Sequence, residues 1–391
     1  MTTPLAPVAV VGAGAMGSGI AQVAATAGHP VYLVDAIPGA AQQACTRIAA
    51  ALRTRAEQGK LDPAVAADIG LRLHAVTAAA ADLPECLVVI EAIAESLPAK
   101  QGLFRDLCAT QPPETLLATN TSSLSIDAIA EAATRPERVL GLHFFNPAPA
   151  MKLVEVVRGA ATGAAVLDEG TALMRAWAKT PVTCASTPGF IVNRVARPFY
   201  GEAQRMVQEG VSDPANIDAC LRAAGFPMGP LELTDLIGQD VNLAVGTSVW
   251  EQTGRDPRYA PTSLQQGLVA AGKLGRKSGE GVYRYGPDGQ PLDAEPDEAA
   301  VADLMTADVL RNPVARTVAM LVNEAVDLVD RGEASAPDVD LAMTLGTRYP
   351  QGPIAWGAQV GYAVVKAQLA RLDEAFPGGR YRPSPALDTQ G

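Results

Sequence analysis

The chain has 391 residues, 48% hydrophobic and 19% charged, the balance of a globular protein long enough for two or three domains. A net charge of −11 argues against a nucleic-acid or anionic-membrane partner, so an anionic ligand would need a local basic patch. No apolar run reaches about 18 residues and no charged-then-apolar leader opens the chain, so neither a membrane span nor a signal peptide is expected. The five cysteines (Cys45, Cys86, Cys108, Cys184, Cys220) are scattered, odd in number and without CxxC spacing, which reads as reduced thiols in a cytoplasmic protein. Three histidines are too few to suggest a multi-histidine metal site.

Pro7 to Val11 is a short apolar run entering Gly12-Ala13-Gly14-Ala15-Met16-Gly17, with a helical stretch to about Ala27, a stop at Gly28, and a second buried strand, Val31 to Val34, closing on Asp35. In this strand, glycine turn, helix, strand, acid order each glycine has a reason: Gly12 for the tight turn, Gly14 for close approach of a pyrophosphate, Gly17 for helix-on-strand packing. Helix N-terminal amides then face the diphosphate, and Asp35 accepts from ribose hydroxyls. A dinucleotide site, NAD rather than its 2′-phosphate, is the expectation. His29 reads as a surface residue in the loop before the second strand, and His74 as part of an edge-like strand from Leu71 to Val76.

Strands follow at Cys86 to Glu91 and Thr115 to Ala118, separated by a helix from Leu97 to about Cys108 with Ser96 as N-cap and Pro98 in its first turn. The alternation predicts a parallel doubly wound sheet whose ligands lie beyond the strand carboxyl ends. Glu95, Lys100 and Asn120-Thr121-Ser122-Ser123 follow strand ends there. Lys100 reads either as a partner for a phosphate or carbonyl or as a solvated helix-face lysine. Ser122 reads either as a donor to a substrate oxygen or as part of a capping turn.

In Gly141-Leu142-His143-Phe144-Phe145-Asn146-Pro147-Ala148-Pro149 an apolar run carrying one histidine breaks at a Pro-rich turn, and Met151 to Val157 resumes it with one carboxylate, Glu155. Antiparallel pairing about Ala148 sets Glu155 opposite Gly141, diagonal to His143 on the same face at roughly 7–8 Å. A carboxylate there orients the ring and suits a histidine that exchanges a proton with an alcohol. The other reading is a core histidine with a solvated glutamate.

After a helix near Ala164 to Ala178 and a strand at Thr180 to Ala185, Pro188-Gly189 marks a hinge into an all-helical region. That region repeats itself. Glu202, Gly210 and Asp218 recur as Glu324, Gly332 and Asp340, offset by 122, and Pro227-Met228-Gly229-Pro230 recurs as Pro350-Gln351-Gly352-Pro353, offset by 123. Asn193 has Ala315 at the matching place, which suggests one working copy and one packing copy, the second covering the first as a partner subunit would. The expected division is an α/β domain over 1–186, a helical domain over 187–286, a surface linker over 287–306, a second helical copy over 307–376 and a frayed tail over 377–391.

These stretches together resemble the NAD-dependent L-3-hydroxyacyl-CoA dehydrogenases: GAGAMGSGIA at 12–21, VIEAIAE at 89–95 with Lys100, NTSSLS at 120–125, GLHFFNPAPAMKLVEVV at 141–157, PGFIVNR at 188–194, GFPMGPLELTDLIGQD at 225–240 and LGRKSGEGVYRY at 274–285. The tandem second copy is similar to the longer bacterial members, including those of phenylacetate catabolism acting on 3-hydroxyadipyl-CoA and those acting on 3-hydroxybutyryl-CoA. The resemblance implies a Rossmann-type domain followed by two all-α domains, NAD as cofactor, an acyl-CoA substrate, and fatty-acid or β-oxidation chemistry. It implies His143 as general base held by Glu155, with Ser122 and Asn193 on the substrate oxygens. Gly12, Gly14, Ala15, Met16, Gly17, Asp35, Glu95, Lys100, Ser122, Asn146 and Lys277 would contact the cofactor, Lys100 also reaching towards CoA. Where relatives place a serine and a lysine for CoA, this chain has Ala51 and Gln58, leaving Arg53, Arg55 and Lys60 as the nearby cations. A homodimer, or a monomer whose second copy replaces a partner, is expected. Competing functions are a non-catalytic NAD-binding protein of crystallin or sensor type, and a dehydrogenase of a free short 3-hydroxy acid.

Overall fold

A computed structural model describes residues 5–76 and 82–389, and the chain divides into two compact units, Met1–Phe190 and Ile191–Gly391. Among the described residues no helix is long and apolar enough to cross a membrane.

In the first unit β1 (Val8–Val11), α1 (Ala15–Thr26), β2 (Val31–Val34), α2 (Ala40–Glu57), α3 (Pro63–Leu71) and β3 (Leu73–Val76) precede β4 (Val88–Glu91), α4 (Leu97–Thr110), β5 (Leu116–Thr119) and α5 (Ile126–Ala130). Then come β6 (Val139–Phe144), β7 (Leu153–Arg158), α6 (Ala164–Ala176) and β8 (Thr180–Ala185). The sheet order is β3-β2-β1-β4-β5-β6-β7-β8, parallel except at the β6–β7 hairpin. Strands β1 and β4 are buried along their whole length, which is why they read as continuous apolar runs. Ile20, Ala21 and Ala24 of α1 bury against Val10, Leu33 and Ile90 in one core. Because β1, β4, β5 and β6 run in the same direction, their carboxyl ends share one edge of the sheet, and the ligand-binding loops gather there.

His74 lies exposed on edge strand β3, its ring centroid 5.0 Å from that of Tyr32. His29 departs from expectation. It is buried, with Nδ1 2.8 Å from the Ala6 carbonyl and its ring edge-on to Trp177 at 5.7 Å, so it fastens the chain start rather than facing solvent.

The second unit is helical: α7 (Val192–Val195), α8 (Arg197–Gln208), α9 (Pro214–Ala223), α10 (Pro230–Ile237), α11 (Gln239–Gln252), α12 (Ser263–Ala270), α13 (Glu298–Thr306), α14 (Pro313–Asp330), α15 (Ala336–Gly346), α16 (Pro353–Val360) and α17 (Tyr362–Ala375). The repeat is structural, α9 to α11 matching α15 to α17. In both copies an aspartate receives the first amides of the next helix: Asp218 accepts from Leu231 and Glu232 at 2.9 and 2.8 Å, Asp340 from Ile354 and Ala355 at 2.8 and 3.0 Å. The glycine within each Gly/Pro turn, Gly229 or Gly352, has no room for a Cβ because that aspartate fills the space. Where copy two has the single helix α14, copy one is split into α7 and α8 just before Pro198, which lacks the amide a continuous helix needs.

Two boundaries need correcting. Residues 287–306 are not wholly linker, since α13 caps itself with Asp297 and packs on α9. Nor is the described part of the tail frayed: Arg380, Tyr381 and Ser384 are buried, and Pro385–Asp388 forms a 3₁₀ turn. The reason is that the repeat continues into it. Arg194, Arg258 and Tyr259 have counterparts at the same 122 offset in Arg316, Arg380 and Tyr381. Glu202 of copy one receives Arg316 Nε at 2.9 Å, Arg380 Nε at 2.8 Å and the Tyr381 hydroxyl at 2.7 Å. Glu324 of copy two receives Arg194, Arg258 and Tyr259 in the mirrored arrangement. Each copy thus buries its glutamate under the other's cations, the self-complementary pattern of a twofold interface, here within one chain.

Candidate active site

At the carboxyl end of β1, Gly12 has φ +109° and a Cβ there would strike the Ala92 carbonyl; a Cβ on Gly17 would strike the carbonyl of Gly12. Gly14 differs: nothing lies within 4 Å of where its Cβ would be. Gly14 and Ala15 are exposed, Met16 is half-buried, and the first turn of α1 has neither a side-chain cap nor an acid. Its amides therefore face open space, as a pyrophosphate requires. Asp35 Oδ2 accepts from the Ala13 amide at 2.6 Å and Oδ1 from Ile37 at 2.8 Å, which holds the carboxylate at the mouth of the glycine turn. A dinucleotide fits this cradle.

Beyond β4 and β5 lies a polar network that sequence reasoning saw only in part. Glu91, fully buried, accepts from Lys100 Nζ at 2.6 Å, Thr119 Oγ1 at 2.6 Å and the Ile93 amide at 2.7 Å. Glu95 Oε1 receives Thr121 Oγ1 at 2.5 Å and the amides of Ser122 and Ser123 at 3.1 and 3.2 Å. Burial pushes Glu95 up, but these hydrogen bonds and the Lys100 charge outweigh it and hold its carboxyl below the usual range. Lys100 departs from the solvated reading: at 1% exposure it is the shared counter-ion of Glu91 and of Glu95, whose Oε2 lies 3.2 Å away. Burying an ammonium demands such partners, and Glu91, one strand-end residue inside an apolar run, was the signal overlooked.

The hairpin register places His143 directly opposite Glu155, two residues from the expected pairing, so the turn centres on Pro149 rather than Ala148. An even shift keeps both side chains on one face, and the pair closes to 2.6 Å between Nδ1 and Oε2. Both are buried, Glu155 fully, and the imidazole sits between the rings of Phe145 and Phe190 at 4.6 and 5.7 Å. A carboxylate can only accept, so Nδ1 carries a proton, and in the neutral ring the lone pair is on Nε2. Asn120 Oδ1 takes the Phe144 amide at 2.9 Å, joining the end of β5 to that of β6. Under the turn, Lys179 Nζ donates to the carbonyls of Ala148 and Met151 at 2.5 and 2.8 Å; burial, then the charge of Lys152, lowers its pKa to about 8. Asn146 is exposed on this turn.

Asn193 lies on α7 of the helical unit, its carbonyl accepting from Arg197 Nε at 2.7 Å. Lys277 belongs to that unit too and is bound to Asp240 at 2.6 and 2.8 Å. Arg53 and Lys60 are exposed on and just after α2, with no salt bridge among the described residues.

Residues 7–187 match the family model of the 3-hydroxyacyl-CoA dehydrogenase NAD-binding domain, and 189–285 and again 313–390 match that of its C-terminal domain. The chain belongs to the 3-hydroxyacyl-CoA dehydrogenase family. It is 43% identical to the 3-hydroxyadipyl-CoA dehydrogenase of Escherichia coli, over 97% of this chain and 96% of that one. Human mitochondrial hydroxyacyl-coenzyme A dehydrogenase is 40% identical over 71% of this chain and 90% of its own. Among solved structures, an E. coli 3-hydroxybutyryl-CoA dehydrogenase superposes with a TM-score of 0.89 at 41% identity, covering 99% of this chain and 98% of that one. The (S)-3-hydroxybutyryl-CoA dehydrogenase of Ralstonia eutropha gives 0.69 at 38%, covering 72% and 99%. This dehydrogenase is accordingly an NAD-dependent oxidoreductase acting on 3-hydroxyacyl-CoA esters. The second match to the C-terminal model coincides with the internal repeat and runs through the supposed tail.

Proposed function

We propose that His143 is the general base of (S)-3-hydroxyacyl-CoA + NAD+ → 3-oxoacyl-CoA + NADH + H+. The observation that carries this is the 2.6 Å bond from His143 Nδ1 to the fully buried Glu155, at the strand edge that also carries the glycine turn. Glu155 holds the ring in the tautomer whose Nε2 can accept, and Nε2 takes the proton of the C3 hydroxyl. NAD held at the glycine turn would supply the hydride acceptor for C3. Gly12, Gly14 and Gly17 shape the pyrophosphate cradle with the amides of Ala15 and Met16, and Asp35 takes the adenosine ribose. Glu95 holds the 121–123 turn in place, so that Ser122 meets the substrate oxygen; Asn146 meets the nicotinamide side. Asn193 is the substrate-binding residue of the helical unit, and Arg53 and Lys60 are the cations for the CoA phosphates.

The acyl group is short, 3-hydroxybutyryl or 3-hydroxyadipyl, the two named for the relatives above, and the step belongs to β-oxidation-type fatty-acid metabolism or phenylacetate catabolism. The five cysteines, none in a disulfide among the described residues, fit a reducing compartment, and we assign the enzyme to the cytoplasm. The second helical copy stands in for a partner subunit, leaving the chain a monomer. His143→Gln should lower NADH oxidation with acetoacetyl-CoA by about 10²–10⁴-fold while NADH binding survives. Near wild-type turnover in that variant would remove the histidine from its role.

A further inference from the structure

Arg197 is a cation of the helical unit whose hydrogen bonds go to backbone carbonyls. It lies one turn beyond Asn193, and Ala196 between α7 and α8 is itself in the right-handed helical region, so the two side chains project from nearly one face. Its Nε donates to the Asn193 carbonyl at 2.7 Å and its Nη1 to the Asn242 carbonyl at 3.4 Å; the guanidinium carbon stands 5.0 Å from the Tyr200 ring. No carboxylate within salt-bridge distance is found for it among the described residues, whereas Arg194, Arg258 and Arg316 each have at least one. Burial pushes Arg197 below the ordinary arginine range, Tyr200 and Tyr349 opposing only in part.

The group faces a cavity of about 30 Å³ whose lining includes Arg197, Arg258 and Arg380 and not one aspartate or glutamate. Gln204, at 2% exposure, also lines it; its oxygen accepts from Thr262 at 2.7 Å, but its amide nitrogen, buried, has no acceptor. Buried donors rarely stay unpaired without a reason. Arg258 and Arg380 already hold Glu324 and Glu202, so Arg197 and the orphaned amide are what this small void offers an anion. A water needs about 10–15 Å³ on this measure, so the void holds about two oxygen atoms, the size of one carboxylate and far too little for a nucleotide.

We infer that Arg197, with the unpaired amide of Gln204, receives the terminal carboxylate of a dicarboxylic 3-hydroxyacyl-CoA of six acyl carbons. This rests on the reading above in which Asn193 meets the substrate. One helical turn separates Asn193 from Arg197, about 6 Å along the axis. In a six-carbon chain the far carboxyl carbon lies three bonds beyond C3, roughly the 3.8 Å that three bonds span in a trans peptide, and a hydrogen bond covers the remainder. A four-carbon acyl group ends short of the guanidinium. A neutral six-carbon chain would desolvate it and return nothing, so the site selects by charge as well as length.

The test compares NADH-dependent reduction of acetoacetyl-CoA, 3-oxohexanoyl-CoA and 3-oxoadipyl-CoA by the full chain. Wild type should favour 3-oxoadipyl-CoA over its neutral six-carbon counterpart by about 10–100-fold in kcat/KM, the fold-change of one charged hydrogen-bonded pair. Arg197→Met should erase that preference, mostly through KM, with no more than a few-fold change for acetoacetyl-CoA; Arg197→Lys should keep part of it. A wild type active on acetoacetyl-CoA but indifferent to the carboxylate overturns the proposal and leaves the dehydrogenase reading standing. So does an Arg197→Met enzyme that loses all three esters equally. A wild type inactive on every ester overturns both. The wild-type comparison needs no variant, so a misfolded Arg197→Met cannot shield the proposal.

Discussion

Glu202→Gln tests whether the second helical copy is held by the first through buried charge. Burial by itself drives the Glu202 carboxyl up, but Arg380, Arg316 and the Tyr381 hydroxyl hold it down at about 2, against an ordinary 4.5. At 1.36 kcal/mol per pKa unit that difference corresponds to about 3 kcal/mol of stability. Since the folded-state value is depressed, the contribution is fully present above pH 4.5 and is lost as pH falls towards 2. The amide also leaves the buried Arg380 without its carboxylate, Arg316 keeping Glu209, and a loss of about 3–5 kcal/mol is expected at pH 7. Urea unfolding of both proteins at pH 7, 5 and 3.5 checks the two statements together. The variant should be weaker by that amount at pH 7, and the gap should narrow through the acid range. A difference under about 1 kcal/mol, or an unchanged gap at pH 3.5, would refute the claim that this ion cluster carries the join.

Gly14→Ala should fold with an unchanged melting temperature, because nothing lies within 4 Å of the new methyl, yet weaken NADH binding measured by fluorescence titration. An unaltered affinity would show that the cradle is not where the pyrophosphate sits. Glu155→Gln should lower turnover with acetoacetyl-CoA by about 10²–10⁴-fold, since an amide can donate to Nδ1 and move the proton to Nε2, where the base must be free. Retained turnover would make Glu155 a packing residue. Lys179 is a stability probe of the other sign: a pKa near 8 lies below its ordinary 10.5, so stability should rise between pH 8 and 10.5 as the folded form sheds the proton first. Lys179→Met should abolish that rise in thermal unfolding followed across this range.

The chain alone determined whatever depends on local order. Strand, glycine turn, helix and acid follow one another within 35 residues, and the positive φ of Gly12 is one that side chains rarely adopt. Pairing of His143 with Glu155 was legible as a shared face because the expected register is off by an even number of residues; the true register, two residues away, needed the turn itself. The helical repeat was visible through its Gly/Pro turns, but its last segment was not, since Arg380-Tyr381 sits in a stretch whose proline and glycine suggest fraying.

Only the tertiary structure decided which charges are buried together. Lys100 and Glu91 are neighbours because α4 returns its first turn to the end of β4, and Glu202 meets Arg380 across 178 positions of chain. A lysine or arginine has the same sequence signature whether it lies in solvent or in a salt bridge, and the cost of removing it from water is set by atoms brought from far along the chain. Arg197 could therefore be read as a surface cation until folding left it facing a small void beside Gln204, without an acid.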